Sequence, residues 1–321
     1  MRKIGCDDGS TNVKLAWYEG DQVCVSVSPN SFKAGWKVAG IGSRETFNYE
    51  IDGLKYSFDD VSHQAINTTN IEYQYGDTNL LAVHHALLNS GLPPQSVSLI
   101  VTLPISEFYT DDCQRNEVNI QRKIDNLLRT VTLNKREIFT ISEVNVMPES
   151  LPAVISLLEK ARVGSLETSL VVDLGGTTLD AGVLVGQFED VSAIHGNSSI
   201  GVSMVTQATL IALRMANSDT SAFVADQLIQ RRTDRAFVAT VVNDESKVDY
   251  VLEMINSAID RLGERVVNEL SQHRHVNRVW LVGGGAPLIE SAVRRAWKLA
   301  PDRIVLVDEP QTALARELIL L

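Results

Sequence analysis

DDGSTNVKL at 7–15 and VVDLGGTTLD at 171–180 decide how this 321-residue chain is read. Each stretch continues an apolar run that breaks at an Asp followed by Gly with Ser or Thr, and each resumes as a second run. Residues 2–6 and Leu170–Val172 are incoming strands; Val13, Leu15 and Trp17, and then Leu179 to Val185, mark the outgoing ones. In the first outgoing strand apolar residues alternate with polar or small ones, which predicts a half-buried strand. Glycine tolerates positive φ and lets backbone approach a ligand closely, so successive N–H groups of such a turn point at phosphate oxygens. Ser and Thr add hydroxyl donors, and an Asp at the strand end suits the retained waters of Mg²⁺. DDGS alone is also an ordinary hairpin turn. The second copy raises the reading to two facing turns that clasp a triphosphate, with Asp7 and Asp173 as its acidic members.

Outward from these turns, residues 18–70 carry short β-like pieces (Gln22–Val27, Phe47–Ile51, Lys55–Phe58) and read as a small β-rich region. Asp77 or Thr78 is expected to cap a helix ending at Ser90-Gly91, where Pro93 and Pro94 prevent its continuation. Of His84 and His85 in that helix, one is expected to face the core and the other not. A strand Val97–Leu103, a polar helix at about 112–129 and strands near 137–141 and 144–147 follow. Leu151 to Ala161 is a mostly apolar helix with Pro152 in its first turn. In the second half, helices are expected at about 201–216, 220–231 and 245–271, then a strand Val279–Val282, the run Gly283-Gly284-Gly285, a helix from Pro287, a strand Ile304–Val307 and a C-terminal helix. The halves join near Arg162–Glu167. Domain I is expected over 1–164, with a β-rich subdomain at about 30–97 and the C-terminal helix 309–321. Domain II is expected over 165–308, with a helical insertion at about 195–250.

Three further features bear on chemistry. Lys14 reads either as a compact cation directed at phosphates or as a solvated strand lysine. The Gly283–Ala286 run allows close approach by a purine or ribose, or serves helix packing. Glu149, just after Pro148, is either a water-positioning group or a routine acidic residue at a helix start. There is no GxxxxGK[ST] and no strand-linked GxGxxG, which excludes a P-loop and a dinucleotide fingerprint. A net charge of −11 argues against direct grip on nucleic acid, and three scattered cysteines with no CxxC suit a reducing compartment. The N-terminus MRKIGCDDGS lacks an apolar signal core, and no run approaches a membrane span, so a cytoplasmic protein with no membrane partner is expected.

The wording along most of the chain resembles the actin, Hsp70 and sugar-kinase superfamily, and within it the ParM branch of plasmid-segregating actin-like ATPases. It comprises DDGSTNVKL, SPNSF at 28–32, TTNI at 68–71, VHHALLNSGLP at 83–93, VMPESLPA at 146–153, VVDLGGTTLD, GVSMVT at 201–206 and LVGGGAPLI at 281–289. The resemblance implies an α/β actin-like fold of two domains around a nucleotide cleft. It implies that Ser10, Thr11, Asn12 and Lys14 form one phosphate loop and Gly175, Gly176, Thr177 and Thr178 the other. Asp7 and Asp173 would hold Mg²⁺ through water, Gly284 and Gly285 would line the adenosine pocket, and Glu149 would orient or activate the attacking water. The implied cofactors are ATP, with GTP left open, and Mg²⁺. The implied partners are further copies of the chain in a filament and a ParR-like adaptor on a centromere-like plasmid site. Surface helices and the C-terminal QTALARELILL depart most from the ParM wording, which bears on filament geometry and adaptor. A small-molecule kinase of the same fold is the alternative, though no sugar-binding signature is evident. An Hsp70-like chaperone is disfavoured because no peptide-binding region follows.

Overall fold

The computed structural model describes residues 1–38, 45–60, 64–134 and 136–321, so 39–44 and 61–63 of the expected β-rich subdomain lie outside the described residues. In chain order the first half contributes strands β1 (Arg2–Asp8), β2 (Asn12–Glu19), β3 (Gln22–Pro29), β4 (Phe32–Ala34), β5 (Asn48–Ile51), β6 (Leu54–Phe58), β7 (Ser96–Leu103), β8 (Thr132–Leu133) and β9 (Thr140–Pro148). The second half contributes β10 (Thr168–Leu174), β11 (Leu179–Val185), β12 (Asp190–Asn197), β13 (Arg278–Val282) and β14 (Ile304–Leu306).

These strands build two five-stranded sheets of the same topology, β3-β2-β1-β7-β9 and β12-β11-β10-β13-β14. Each starts as an antiparallel meander and then adds two strands parallel to its first. The parallel additions need crossovers, which helices supply. The fourth sheet position is reached through the helix Asp77–Asn89 in the first half and through the 22-residue helix Val248–Glu269 in the second. A four-stranded sheet, β4-β6-β5-β8, sits on the far side of the helix Asp77–Asn89.

That placement explains a departure from the sequence reading. The helix lies between two sheets, so Asn79 to Leu87 are all buried and it has no solvated face. Both His84 and His85 are therefore buried, at 3 % and 1 % exposure, rather than one of the pair. His85 Nδ1 pairs with the Tyr49 hydroxyl at 2.8 Å and its ring stacks on Phe58. Burial lowers the His84 pKa to about 4 and that of His85 to about 3, so both are neutral. Asp77 does not cap this helix. It stands inside the first turn, where its carboxylate accepts from Tyr56 and Arg129 and ties the helix to the small sheet and to the segment just after the helix Glu117–Leu127.

Strand β2 departs in the same direction. Its residues Val13 to Trp17 are buried on both faces, because the C-terminal helix Ala313–Leu318 lies on the face that alternation left to solvent. Gly5 of β1 makes the approach: a Cβ there would stand 2.4 Å from the Ala315 carbonyl oxygen. In place of the expected strands at 137–141 and 144–147 there is one strand, β9, which starts at Thr140 and leaves 137–139 outside it, and residues 190–197, assigned to no element by periodicity, form β12. Between the two sheets lies a third apolar cluster: Ile100 and Ile105 from one side, Val171 and Trp280 from the other, with Leu151, Val154 and Leu314 between them. No helix among the described residues is long and apolar enough to cross a membrane.

Candidate nucleotide site

The residues singled out by sequence collect at the carboxyl ends of the parallel strands, where ligands of open α/β sheets bind. Asp7 stands near the end of β1, Asp173 near the end of β10, Glu149 just beyond β9, and Gly283 to Gly285 just beyond β13. The β1–β2 and β10–β11 turns meet face to face: Ser10 Oγ and Thr177 Oγ1 are 2.5 Å apart. Gly176 permits the contact, since a Cβ there would stand 2.5 Å from Thr11 Cγ2. Behind the second turn, the Val202 and Ser203 N–H groups donate to the carbonyls of Gly175 and Gly176 at 3.0 and 2.8 Å.

Charge in this space is unbalanced. Lys14 is buried, which disposes of the solvated-lysine alternative, and its Nζ lies 3.1 Å from Asp7 Oδ2. Among the described residues lining the cavity it is the one cation, against Asp7, Asp173 and Glu149 in the lining and Asp180 behind them. Burial, reinforced by the neighbouring carboxylates, pushes Asp173 up to about 8 and Glu149 well above its ordinary range. Burial also raises Asp7, against the opposing pull of Lys14. For Lys14 burial acts downward, but Asp7, Asp173 and Glu149 outweigh it and hold the ammonium charged. An excess of buried carboxylate over cation is the charge pattern that a divalent cation with bound phosphates neutralises. No group of three metal-donor side chains converges closely enough to ligate an ion directly among the described residues. The donor set therefore fits a hydrated Mg²⁺ held through its waters, and does not fit a protein-caged metal.

The space has two parts. The inner part, about 40 Å³, is lined by Asp7, Ser10, Thr11, Lys14, Glu149, Asp173, Gly175 to Thr178 and Gly284. It is the narrower of the two and lies directly between the turns. The adjoining part measures about 570 Å³, within the range of small-ligand pockets. It shares Thr11, Lys14, Gly175, Gly176 and Gly284 with the inner part and adds Asn12, Gly285, Asp226, Gln230 and Gln311. The three glycines after β13 serve different ends. Gly283 has φ +84° and leaves room for Asp173, Gly285 packs against Leu174 and Val202, and Gly284 faces the open cavity beside Gln311.

Three features of the site escaped the sequence reading. Asp180, the last residue of VVDLGGTTLD, is buried beside Glu149, accepts from the Ile105 N–H at 2.7 Å, and is raised by burial to about 6. Its seven-residue offset from Asp173 on a hairpin was the available signal. Asp8 forms a fully buried ion pair with Lys123 at 2.5 Å, from a helix more than a hundred residues away, and no local pattern announces it. Ser150 takes φ 74° and ψ −70° with Leu151 N–H donating to the Glu149 carbonyl at 2.9 Å, which is the rare, strained γ-turn. This turn sets the direction in which Glu149 leaves β9 and gives the Ser150 N–H to Asp173. Glu149 itself accepts weakly from Thr178 Oγ1, at 3.4 Å.

Comparison with known proteins bears on the same two halves. Residues 2–160 match the family model described as plasmid segregation protein ParM, N-terminal, and residues 163–321 match the one described as plasmid segregation protein ParM, C-terminal. No curated protein sequence matches the chain. Among solved structures, a ParM in a 15-stranded filament from Clostridium botulinum aligns with TM-score 0.71 and 13 % identity, over 99 % of this chain and 98 % of that one. Ta0583, an archaeal actin homologue crystallised with ADP, aligns with TM-score 0.69 and 17 % identity, over 99 % and 97 %. AlfA from the B. subtilis plasmid pLS32, in a filament, aligns with TM-score 0.60 and 15 % identity, over 100 % and 98 %. At these identities the structural likeness establishes the actin-like fold.

Proposed function

The chain belongs to the ParM family of plasmid segregation proteins, and from that premise we propose that it is an actin-like ATPase that assembles into filaments. Mg-ATP binds between a lobe formed by residues 1–164 with the C-terminal helix 309–321 and a lobe formed by 165–308. Ser10, Thr11, Asn12 and Lys14 hold the phosphates from one side and Gly175 to Thr178 from the other. Asp7 and Asp173 would hold a Mg²⁺ ion through its waters, and the ion would supply positive charge to offset that of the phosphates. Gly284 and Gly285 border the adenosine. Glu149, raised by burial and set by the strained turn at Ser150, accepts a hydrogen bond from the attacking water and holds it in line with the γ-phosphate. Hydrolysis then weakens the filament. With a net charge of −11, the chain reaches plasmid DNA through an adaptor bound to a centromere-like site rather than by direct contact, in the cytoplasm.

The observation that carries this reading is the inner cavity itself. Two glycine-bearing turns close on each other across 2.5 Å, around buried carboxyls that outnumber their single ammonium. Light scattering of the purified chain tests it: with Mg-ATP at several micromolar protein the signal should rise and then decay. A flat trace with ATP, and also with a slowly hydrolysed analogue, refutes assembly. Turnover that is stimulated by a sugar or carboxylate and is independent of protein concentration would favour the small-molecule kinase instead.

A further inference from the structure

The carbonyl side of the first turn is held from outside the turn. Gly9 O accepts from the Tyr73 hydroxyl at 3.3 Å. Ser10 O accepts twice, from Asn30 Nδ2 at 2.8 Å and from Thr68 Oγ1 at 2.7 Å, and Thr11 O accepts from the Asn30 N–H at 2.9 Å. In a trans peptide the C=O of one residue and the N–H of the next point in opposite directions. Three successive carbonyls drawn toward Tyr73, Asn30 and Thr68 therefore aim the N–H groups of Ser10, Thr11 and Asn12 the other way. The second turn uses the same device with different parts, its Gly175 and Gly176 carbonyls being taken by the N–H groups of Val202 and Ser203.

We propose that Asn30 and Thr68 are positioning residues for the phosphate-binding amides of the first turn; the assignment rests on the nucleotide reading above. Neither side chain lines the inner cavity, so their action on a phosphate passes through the Ser10 peptide. Thr68 is buried, and its hydroxyl has Ser10 O as acceptor. The orientation of Asn30 is fixed by chemistry: its Oδ1 is buried with no partner among the described residues, and a flipped amide would set that oxygen against the Ser10 carbonyl. The proposal also gives a physical role to SPNSF at 28–32 and TTNI at 68–71, which contain these two residues and lie outside both turns.

The test uses the full chain and titrates Mg-ATP and adenosine separately. Thr68→Val keeps the shape and removes the donor, Thr68→Ser keeps the donor, and Asn30→Asp replaces a donor by an acceptor facing the same carbonyl. Thr68→Val should weaken Mg-ATP about tenfold, the equivalent of one hydrogen bond, with Asn30→Asp weakening it further. Adenosine, which has no phosphate, should bind all three variants as it binds wild type, and Thr68→Ser should restore Mg-ATP affinity. Wild-type Mg-ATP affinity in both Thr68→Val and Asn30→Asp overturns the proposal. So does an equal loss of adenosine and Mg-ATP, which would mark the two residues as merely structural. A wild-type chain that binds neither ligand overturns the nucleotide reading itself, and this assignment with it.

Discussion

Lys123→Met should be among the most damaging single substitutions outside the cleft. The ammonium and its Asp8 partner are both fully buried, and every donor of the ammonium is used, on Asp8 Oδ2 at 2.5 Å, Gln74 Oε1 at 2.5 Å and Asn79 Oδ1 at 3.1 Å. Asp8 accepts in addition from Asn79 Nδ2 and the Thr102 N–H. Methionine fills a similar volume but leaves a buried carboxylate without its cation and two amide oxygens without donors. Removing one partner of a buried pair costs about 3–5 kcal/mol. For unfolding of the first half of the chain, that corresponds to a midpoint shift on the order of 10 °C. Because Asp8 follows Asp7 at the start of the first turn, Mg-ATP affinity should fall as well. The assay is urea unfolding of wild type, Lys123→Met, Asp8→Asn and the double variant, closed as a cycle. The double variant should be markedly more stable than the sum of the single losses allows. A Lys123→Met protein within about 1 kcal/mol of wild type, or a coupling energy near zero, would refute the argument that this pair pins the turn.

Glu149→Ala should bind Mg-ATP and assemble, yet release phosphate about 100-fold more slowly and give persistent filaments; wild-type phosphate release would remove Glu149 from the mechanism. His84 and His85 have folded pKa values near 4 and 3 against about 6.5 unfolded, so the folded state binds fewer protons and stability is lost as pH falls below about 6.5. At pH 5 each contributes a loss of about 2 kcal/mol, and the slope of stability against pH between 5 and 6.5 should be visibly shallower in His84→Gln. The cleft carboxylates, raised in the folded state, act with the opposite sign as pH falls, so equal slopes in wild type and His84→Gln would count against the histidine argument. Gly283→Ala should destabilise by about 1–3 kcal/mol and weaken Mg-ATP, since φ is +84° and the new Cβ would stand 2.1 Å from Asp173 Oδ1. Gly20→Ala, at φ +61° with nothing within 4 Å, is the control for backbone strain alone, and equal effects of the two on Mg-ATP binding would refute the steric argument.

The legible parts of the site are those whose signal is local. Asp7 to Asn12 and Asp173 to Thr178 announce themselves because a strand end, a glycine and hydroxyl residues within six positions have few other physical uses in duplicate. The setting of Glu149 was not legible: the turn that directs it depends on the positive φ of Ser150, and serine carries no compositional mark for that conformation. Asn30 and Thr68 lie 20 and 58 residues from the carbonyl they hold, a pairing that periodicity does not report.

The sequence alone determined that the chain contains two strand–turn–strand units and which residues supply the acidic and hydroxyl groups at their turns. These follow from covalent spacing and from which residue types tolerate a turn. Tertiary structure alone decided which faces are dry. The helix Asp77–Asn89 lost its solvated side, and with it both histidines, to a second sheet, and β2 lost its own to a helix from the far end of the chain. Tertiary structure also decided the charge state of the cleft, because the displacement of Asp173 and Glu149 comes from burial and from carboxylates that only the closing of two lobes brings together. Burial and Coulomb interaction depend on distance in space, and a one-dimensional pattern fixes that distance only within a few residues.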